Sequence, residues 1–253
     1  EAHYRQRVAE IGATLAAHDL DGILLLDAAN VMWATGFFHI PNERPLGIYL
    51  SAHGNDPIFF VPFLERENAE QSWIADIRGY LEFPGEVPAQ VWMLQQIGDE
   101  SIAVDAAGHN VFQAMTVVKS RLVIDSVIGP MRYLKSEAEL ALTEQAAHFA
   151  DFGLKIARAA VADGIRSGIT ELDVVQIVQR ETTAKMRAEL DELINFYRGA
   201  VALTAHTGPR AALPHGQPGP VAIQPGDALI VGIGVKVGGY HAESGCTFIV
   251  GEP

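Results

Sequence analysis

Apolar residues along the first half of the chain are spaced as alternating helices and short strands. Val8, Ile11 and Leu15 share one face of a predicted helix over residues 4–18, and a buried strand is predicted at 22–26. Further strands are predicted at 48–50, 58–61 and 102–104, and further helices at 64–73, 88–97 and 111–119. This alternation predicts an α/β layer, a sheet covered by helices, over roughly residues 1–125.

Two capping signals open the second half. A Ser-x-x-Glu box at 136–139 precedes a helical pattern that runs to about residue 161, and a Thr-x-x-Asp start at 170–173 precedes another. Strands are then predicted at 196–203, 228–237 and 240–250, with Gly238-Gly239 as the tight turn between the last two. We expect one domain over residues 1–130 and a second over residues 131–253.

Composition narrows the class of protein. The 253 residues are 49% hydrophobic and carry a net charge of −13, which argues against a nucleic-acid partner because phosphate contact needs a basic surface. Cys246 is the single cysteine, so no disulfide can form within the chain. We find neither a leader pattern nor an apolar run of about 18 residues, so we expect a cytoplasmic protein with no membrane partner.

Two residues of the second half are candidates for acid–base chemistry. His215 lies on a loop rich in proline and glycine, where an imidazole can face a substrate or, alternatively, bond the loop backbone. Strand alternation places Glu243 on one side with His241, beside the glycines at 232 and 234 of the preceding strand. A carboxylate there must be paired, hydrogen-bonded or in a cleft, unless this is the exposed face of an edge strand.

Three other features carry weaker signals. Arg44 lies on a loop with His39, where it can bind a ligand or form a solvated salt bridge with Glu43. Cys246 is on the apolar side of its strand, which favours a small core residue over a nucleophile. The glycines at 232 and 234 do not form a phosphate-binding fingerprint, because the third glycine falls at the wrong spacing and no helix follows.

Five short motifs, in this order, resemble the pita-bread (M24) family, which contains Xaa-Pro dipeptidase, aminopeptidase P, methionine aminopeptidase, creatinase and ectoine hydrolase. They are Leu-Lys-Ser-Glu-Ala-Glu at 134–139, Gly-Ile-Thr-Glu-Leu-Asp at 168–173, Leu-Pro-His-Gly at 213–216, Pro-Gly-Asp at 225–227 and Gly-Tyr-His-Ala-Glu at 239–243. The first half resembles that family's creatinase-type N-terminal domain, in which residues 27–37 fit the usual strand, short helix and Thr-Gly-Phe loop. The resemblance implies this α/β domain followed by an α+β pita-bread catalytic domain, and a homodimer.

Two positions at which metallopeptidases of this family bind metal carry different residues in this chain. In the metallopeptidase branch two aspartates, eleven positions apart on the strand pair, bridge two metal ions. Here those positions carry Gly232 and Glu243, and glycine has no side-chain oxygen. We therefore expect no metal at the usual two-metal site and no cofactor. If the metal dependence usual in the family is retained instead, the ion would be Mn, Co or Zn.

The creatinase branch is the better match. Resemblance to it implies that His215 transfers a proton as base and then acid, that Glu243 holds a cationic substrate, and that His241 and Arg44 contribute to substrate binding. The family domain normally continues for about 100 more residues, so we expect the chain to be part of a longer protein. The predicted function is hydrolysis of a C–N bond in a small dipeptide, amidine or N-substituted amino acid. Two alternatives stay open: a metal-dependent Xaa-Pro dipeptidase with an altered site, and a catalytically silent binding module.

Overall fold

A computed structural model describes residues 1–81, 85–125, 127–190, 200–213 and 215–251. The chain divides into two compact units, Glu1–Leu134 and Lys135–Pro253. In the described residues, no helix combines the length and the apolar character that crossing a membrane requires.

The first unit is a mixed sheet with helices on both faces. Its strands are β1 (Gly22–Leu25), β2 (Gly47–Ser51), β3 (Ile58–Pro62), β4 (Asp76–Tyr80), β5 (Ser101–Val104) and β6 (Arg121–Ile124). Its helices are α1 (Ala2–Ala17), α2 (Ala28–Thr35), α3 (Arg66–Ala69), α4 (Ala89–Gln95) and α5 (His109–Thr116), with 3₁₀ turns at Phe63–Glu65 and Pro130–Arg132. The strand order is β4-β3-β2-β1-β5-β6; β1 is parallel to β5 and antiparallel to β2.

Strand β1 is buried on both faces, which explains its continuous apolar sequence. Ile23 packs in one core with Ile11 of α1, while Leu24 packs in the other with Met93 and Leu94 of α4. The predicted sheet covered by helices is therefore confirmed, with helices on its two faces.

Two strands and one helix of this unit differ from the sequence prediction. The prediction omitted β4 and β6, because these edge strands carry polar or exposed residues, such as the ion-paired Asp76 and Arg78 of β4. The prediction of a helix over 64–73 was wrong for most of its length, since only Arg66–Ala69 is α-helical. Phe63 and Leu64 are largely exposed there and Ala69 is the one fully buried residue of 63–73, a range that the structure describes throughout, so little apolar surface supports a longer helix.

The second unit packs two helices on one face of an antiparallel sheet. The helices are α6 (Glu137–Gly164) and α7 (Glu171–Glu189), and the strands are β7 (Val201–Thr207), β8 (Ala228–Val237) and β9 (Tyr240–Ile249), with 3₁₀ turns at Ile165–Ser167 and Gly208–Ala212. Both predicted capping boxes are confirmed, because Ser136 and Thr170 each accept a hydrogen bond from the backbone three residues on. The Gly238-Gly239 turn is also confirmed, and both glycines have positive φ (55° and 83°).

The predicted strand over 196–203 has a different end. Residues 196–199 lie outside the described part of the chain, and β7 continues to Thr207. The sequence reading stopped early because His206 and Thr207 are polar. In the structure both are buried and hydrogen-bonded, so they extend the strand without leaving a polar group unsatisfied.

The two faces of β8 have different roles. Val231, Ile233 and Val235 are buried in the core that also contains Phe149 of α6 and Val178 of α7. The intervening positions, 232, 234 and 236, point to the other face, as the sequence predicted. That second face carries the candidate site.

Candidate functional site

The sheet face opposite the helices has a floor of small residues. Across the three strands, Thr204 is opposite Gly232 and Gly232 is opposite Gly245, while Gly234 is the cross-strand neighbour of Glu243. The missing side chains on β8 leave an open cleft of about 550 Å³. Clefts of this size accommodate small molecules, and backbone atoms form much of this floor.

Three of the four predicted site residues line this cleft: His215, His241 and Glu243. His215 is exposed in a turn after the 3₁₀ segment Gly208–Ala212, whereas the other two project from β9. The turn and the strand edge thus present an imidazole and a carboxylate to one space, although they are 28 residues apart in sequence.

His241 and Glu243 form a loose pair on the edge strand. Their Nε2 and Oε1 atoms are 3.6 Å apart, and their side chains are 41% and 76% exposed. Water screens a pair this exposed, so the Glu243 carboxylate remains available to a ligand. Gly234 provides room for the imidazole, because a Cβ at that position would be 2.7 Å from the His241 Nε2 atom.

A buried carboxylate holds the two ends of the loop that carries His215. Glu171, the first residue of α7, is fully buried. It accepts hydrogen bonds from the amides of Thr207 (2.8 Å) and Gly219 (3.0 Å), and from the Arg210 Nε atom (3.0 Å). Burial raises the pKa of Glu171, but these three donors outweigh it and hold the pKa below its ordinary value.

Sequence reasoning treated Glu171 only as part of a helix start. The signal that could have identified it is a glutamate directly after the N-cap Thr170, a position from which a carboxylate can reach beyond its own helix. Its partners, however, are 36 to 48 residues away in sequence. Local spacing does not reveal contacts of that range.

Two other side chains of β9, those of Ser244 and Cys246, interact on the side of the helices. The Ser244 hydroxyl donates to Asp151 Oδ1 of α6 at 2.6 Å. Cys246 is half-buried, and burial raises the pKa of its thiol, an effect that the nearby Arg158 partly opposes. A protonated thiol is a poor nucleophile, which agrees with the predicted packing role of Cys246.

Arg44 lies in the first unit, on the segment between α2 and β2. Its guanidinium contacts the Glu43 carboxylate on the protein surface, the salt bridge that sequence reasoning considered as an alternative to ligand binding. On the same segment, burial lowers the pKa of His39. The predicted binding role of Arg44 therefore stays a prediction.

Among the described residues, the cleft does not supply the pair of carboxylates that a two-metal site would take from strands β8 and β9. Gly232 supplies no ligand where the second carboxylate would be needed. Throughout the described ranges, no three His, Cys, Asp or Glu side chains are grouped so that they could hold a metal ion.

Two family models match the chain, one for each unit. Residues 7–126 match the Creatinase/Prolidase N-terminal domain, and residues 142–253 match Metallopeptidase family M24. The chain is 25% identical over 229 residues to a putative dipeptidase, YkvY, of Bacillus subtilis, with 87% of this chain and 59% of that protein covered. It is 24% identical over 250 residues to an Xaa-Pro dipeptidase of Pyrococcus furiosus, with 98% and 66% covered.

Solved structures show the same fold. A prolidase from Thermococcus sibiricus superposes with a TM-score of 0.78 at 19% identity, and 99% of this chain and 66% of that one are covered. The prolidase of Pyrococcus horikoshii OT3 gives a TM-score of 0.72 at 21% identity, with the same coverage. The chain therefore spans about three fifths of the YkvY relative and about two thirds of the prolidases.

Proposed function

Because the two units match the family models of the Creatinase/Prolidase N-terminal domain and of metallopeptidase family M24, we propose that the protein hydrolyses a C–N bond in a small dipeptide, amidine or N-substituted amino acid. One observation carries the proposal: His215, His241 and Glu243 line a single open cleft. An imidazole and a carboxylate with room for a small molecule between sheet and loop are suited to acid–base hydrolysis.

In the proposed reaction His215 moves one proton. It takes the proton from water as the water oxygen bonds to the carbonyl or amidine carbon, and returns that proton to the leaving nitrogen as the C–N bond breaks. Imidazole suits both transfers, because it exchanges protons near neutral pH. The exposed turn around His215 lets water reach the imidazole.

Glu243 and His241 are proposed to orient the substrate. Glu243 is a largely exposed carboxylate beside the glycine floor, so an ammonium or amidinium group can approach it without displacing a side chain. Positive charge on the substrate is thereby held close to the reacting carbon. His241, 3.6 Å from that carboxylate, borders the same part of the cleft.

The test is hydrolysis of a panel of Xaa-Pro dipeptides, amidines and N-substituted amino acids by the full-length protein. We expect His215→Asn to lower kcat by about 10²- to 10⁴-fold, because it removes the proton carrier. Glu243→Gln should raise KM for cationic substrates more than for neutral ones. His109→Asn, which changes an exposed histidine of the first unit, is the matched control and should retain full activity.

Two results would count against the proposal. If His215→Asn hydrolyses the panel at the wild-type rate, His215 is not the proton carrier. If the wild-type protein hydrolyses no member of the panel while it binds them, the protein acts as a binding module instead.

A metal-dependent Xaa-Pro dipeptidase is the second candidate, because the matching family is described as a metallopeptidase and a relative is an Xaa-Pro dipeptidase. In that case Glu243 would be one of the ligands that hold the ion. Calorimetric titration with Mn²⁺, Co²⁺ and Zn²⁺ tests it. Binding by wild type that Glu243→Gln abolishes supports this candidate, and absence of binding by wild type refutes it.

A cytoplasmic homodimer, with Arg44 reaching a substrate carboxylate across the dimer interface, is also part of the proposal. Family resemblance supports it. Light scattering of the full-length protein tests the dimer, and Arg44→Ala tests the contact through a rise in KM for substrates that carry a carboxylate. A monomeric mass would exclude an interface role for Arg44.

A further inference from the structure

A buried histidine that the proposed reaction does not use lies beneath the loop of His215. His206 is on β7, and its side chain is only 2% exposed. We propose that His206 is a positioning residue, which fixes the loop so that His215 stays over the cleft. This inference rests on the proposed role of His215, but its structural part can be tested without any activity.

The contact between His206 and the loop is short and has a defined direction. Its Nε2 atom is 2.6 Å from the carbonyl oxygen of Gly216, the residue directly after His215. A carbonyl oxygen can only accept a hydrogen bond, so Nε2 carries the proton and donates. Removal of this buried donor leaves the carbonyl of Gly216 without its side-chain partner.

Gly216 allows the loop to approach the imidazole this closely. A Cβ at position 216 would lie 3.1 Å from the His206 Nε2 atom and 3.4 Å from the Cβ atom of Leu213. Both distances are at or below the ordinary limit of such contacts, so a side chain at 216 would push the loop off the strand. The glycine of the Pro-His-Gly motif is thus explained by its packing on His206.

His206 supports the middle of the loop, where the Glu171 carboxylate does not reach. Glu171 binds the amides of Thr207 and Gly219, at the two ends of the loop. Between them, the backbone amide of Gly216 makes a long contact with the Leu213 carbonyl (3.4 Å). The Arg210 Nη2 atom also donates to the Gln217 carbonyl at 2.5 Å, within the loop itself. Among the described residues, His206 supplies the short hydrogen bond that joins the turn of His215 to strand β7.

His206 also lies at the edge of the cleft floor. It shares a face of β7 with Thr204, which lines the cleft, and the Thr204 hydroxyl is 3.2 Å from its Nε2 atom. A change in the loop at Gly216 would consequently move His215 relative to the floor on which the substrate is proposed to lie. Loss of the tie should lower kcat and leave KM unchanged, because Glu243 and the floor remain in place.

Hydrogen exchange of the loop amides tests the anchor. His206→Leu keeps similar bulk without a donor, whereas His206→Gln places an amide N–H close to the position of Nε2. We expect exchange of the amides of residues 210–213 and 215–217 to be about tenfold faster in His206→Leu, the effect of losing about 1.4 kcal/mol, and to return to the wild-type rate in His206→Gln. His109→Leu is the surface control, and its loop should exchange as in wild type.

Far-ultraviolet circular dichroism checks that the variants fold. If His206→Leu does not fold, Gly216→Ala provides the second route, because its methyl group displaces the loop without removing a buried side chain. Faster exchange in Gly216→Ala supports the anchor. Unchanged exchange in whichever of these two variants folds would overturn it.

Steady-state kinetics on the same variants test the consequence for His215. The expected pattern is a tenfold lower kcat in His206→Leu at unchanged KM, with recovery in His206→Gln. Faster loop exchange with unchanged kcat would overturn the positioning role, as would a failure of glutamine to restore both readouts. If wild type hydrolyses nothing, the proposed function fails, while the exchange measurements still decide whether His206 anchors the loop.

Discussion

Substitution of Glu171 by glutamine changes the buried carboxylate that closes the loop of His215. Glu171 accepts hydrogen bonds from two backbone amides and from the Arg210 guanidinium. A hydrogen bond to a charged acceptor contributes about 1.5–3 kcal/mol, against about 0.5–1.5 kcal/mol for a neutral one. In Glu171→Gln, the side-chain NH2 group would also face one of the three N–H groups that now donate to the carboxylate.

We expect Glu171→Gln to lower the free energy of unfolding of the second unit by about 3 kcal/mol. The full cost of breaking a buried ion pair is about 3–5 kcal/mol, and Arg210 is 33% exposed, so water screens part of its contribution. Glu181→Gln is the matched control on the same helix. Its pair with Arg180 is exposed, and its loss should cost less than about 0.5 kcal/mol.

Two spectroscopic signals separate the units in a urea titration. The three tryptophans, at 33, 73 and 92, all lie in the first unit, so their fluorescence reports on that unit. Far-ultraviolet circular dichroism also follows the long helices α6 and α7 of the second unit, of 28 and 19 residues, together with the helices of the first. Glu171→Gln should shift the circular dichroism transition and leave the fluorescence transition in place.

The difference in stability between wild type and Glu171→Gln depends on pH. The pKa of Glu171 is lowered on folding, so its contribution to stability is present above the unfolded pKa, about 4.3, and is lost as pH falls through the lower folded value. The difference between wild type and Glu171→Gln should be full at pH 7 and shrink below about pH 4. A difference under about 1 kcal/mol at pH 7, or one that grows in acid, would refute the reasoning.

Three further changes test the cleft. Gly234→Ala places a methyl group 2.7 Å from the His241 Nε2 atom, so the exposed imidazole should move away from the cleft. We expect KM to rise severalfold at an unchanged melting temperature. An unchanged KM would argue against a role for His241 in substrate binding. Gly232→Asp meets only a methyl group of Thr204 at 3.3 Å, so the protein should fold, and the added carboxylate should strengthen Mn²⁺ binding at least about tenfold in a calorimetric titration. Cys246 should react with iodoacetamide about tenfold more slowly than free cysteine, because burial raises its pKa; equal rates in the folded protein would contradict this.

Short sequence motifs predicted the helix starts and the hairpin of the second unit correctly. The capping boxes at Ser136 and Thr170 set the starts of α6 and α7, because each is complete within four residues. Gly238-Gly239 likewise fixed the hairpin of β8 and β9, and strand alternation then placed His241 and Glu243 on the open face. The resemblance to the pita-bread family is confirmed by the two family models and by the prolidase folds.

Local sequence patterns did not predict the contacts between residues that are far apart along the chain. His206 reads as a polar interruption of a strand, and only the loop folded back across ten residues shows that it is buried and bonded. Glu171 reads as an ordinary first-turn glutamate until its partners at Thr207 and Gly219 are seen. The sequence prediction also missed the edge strands β4 and β6. An edge strand pairs with only one neighbouring strand and does not need a continuous apolar run.

Turnover after exhaustive chelation is the most direct test of the central claim, that His215 and Glu243 support C–N hydrolysis without the usual two-metal site. Full-length protein would be dialysed against chelator, its metal content measured by mass spectrometry, and hydrolysis of the substrate panel followed for wild type and His215→Asn. The account predicts that metal-free wild type keeps its kcat and that His215→Asn loses it. Loss of all wild-type activity on chelation, restored by Mn²⁺, Co²⁺ or Zn²⁺, would contradict it.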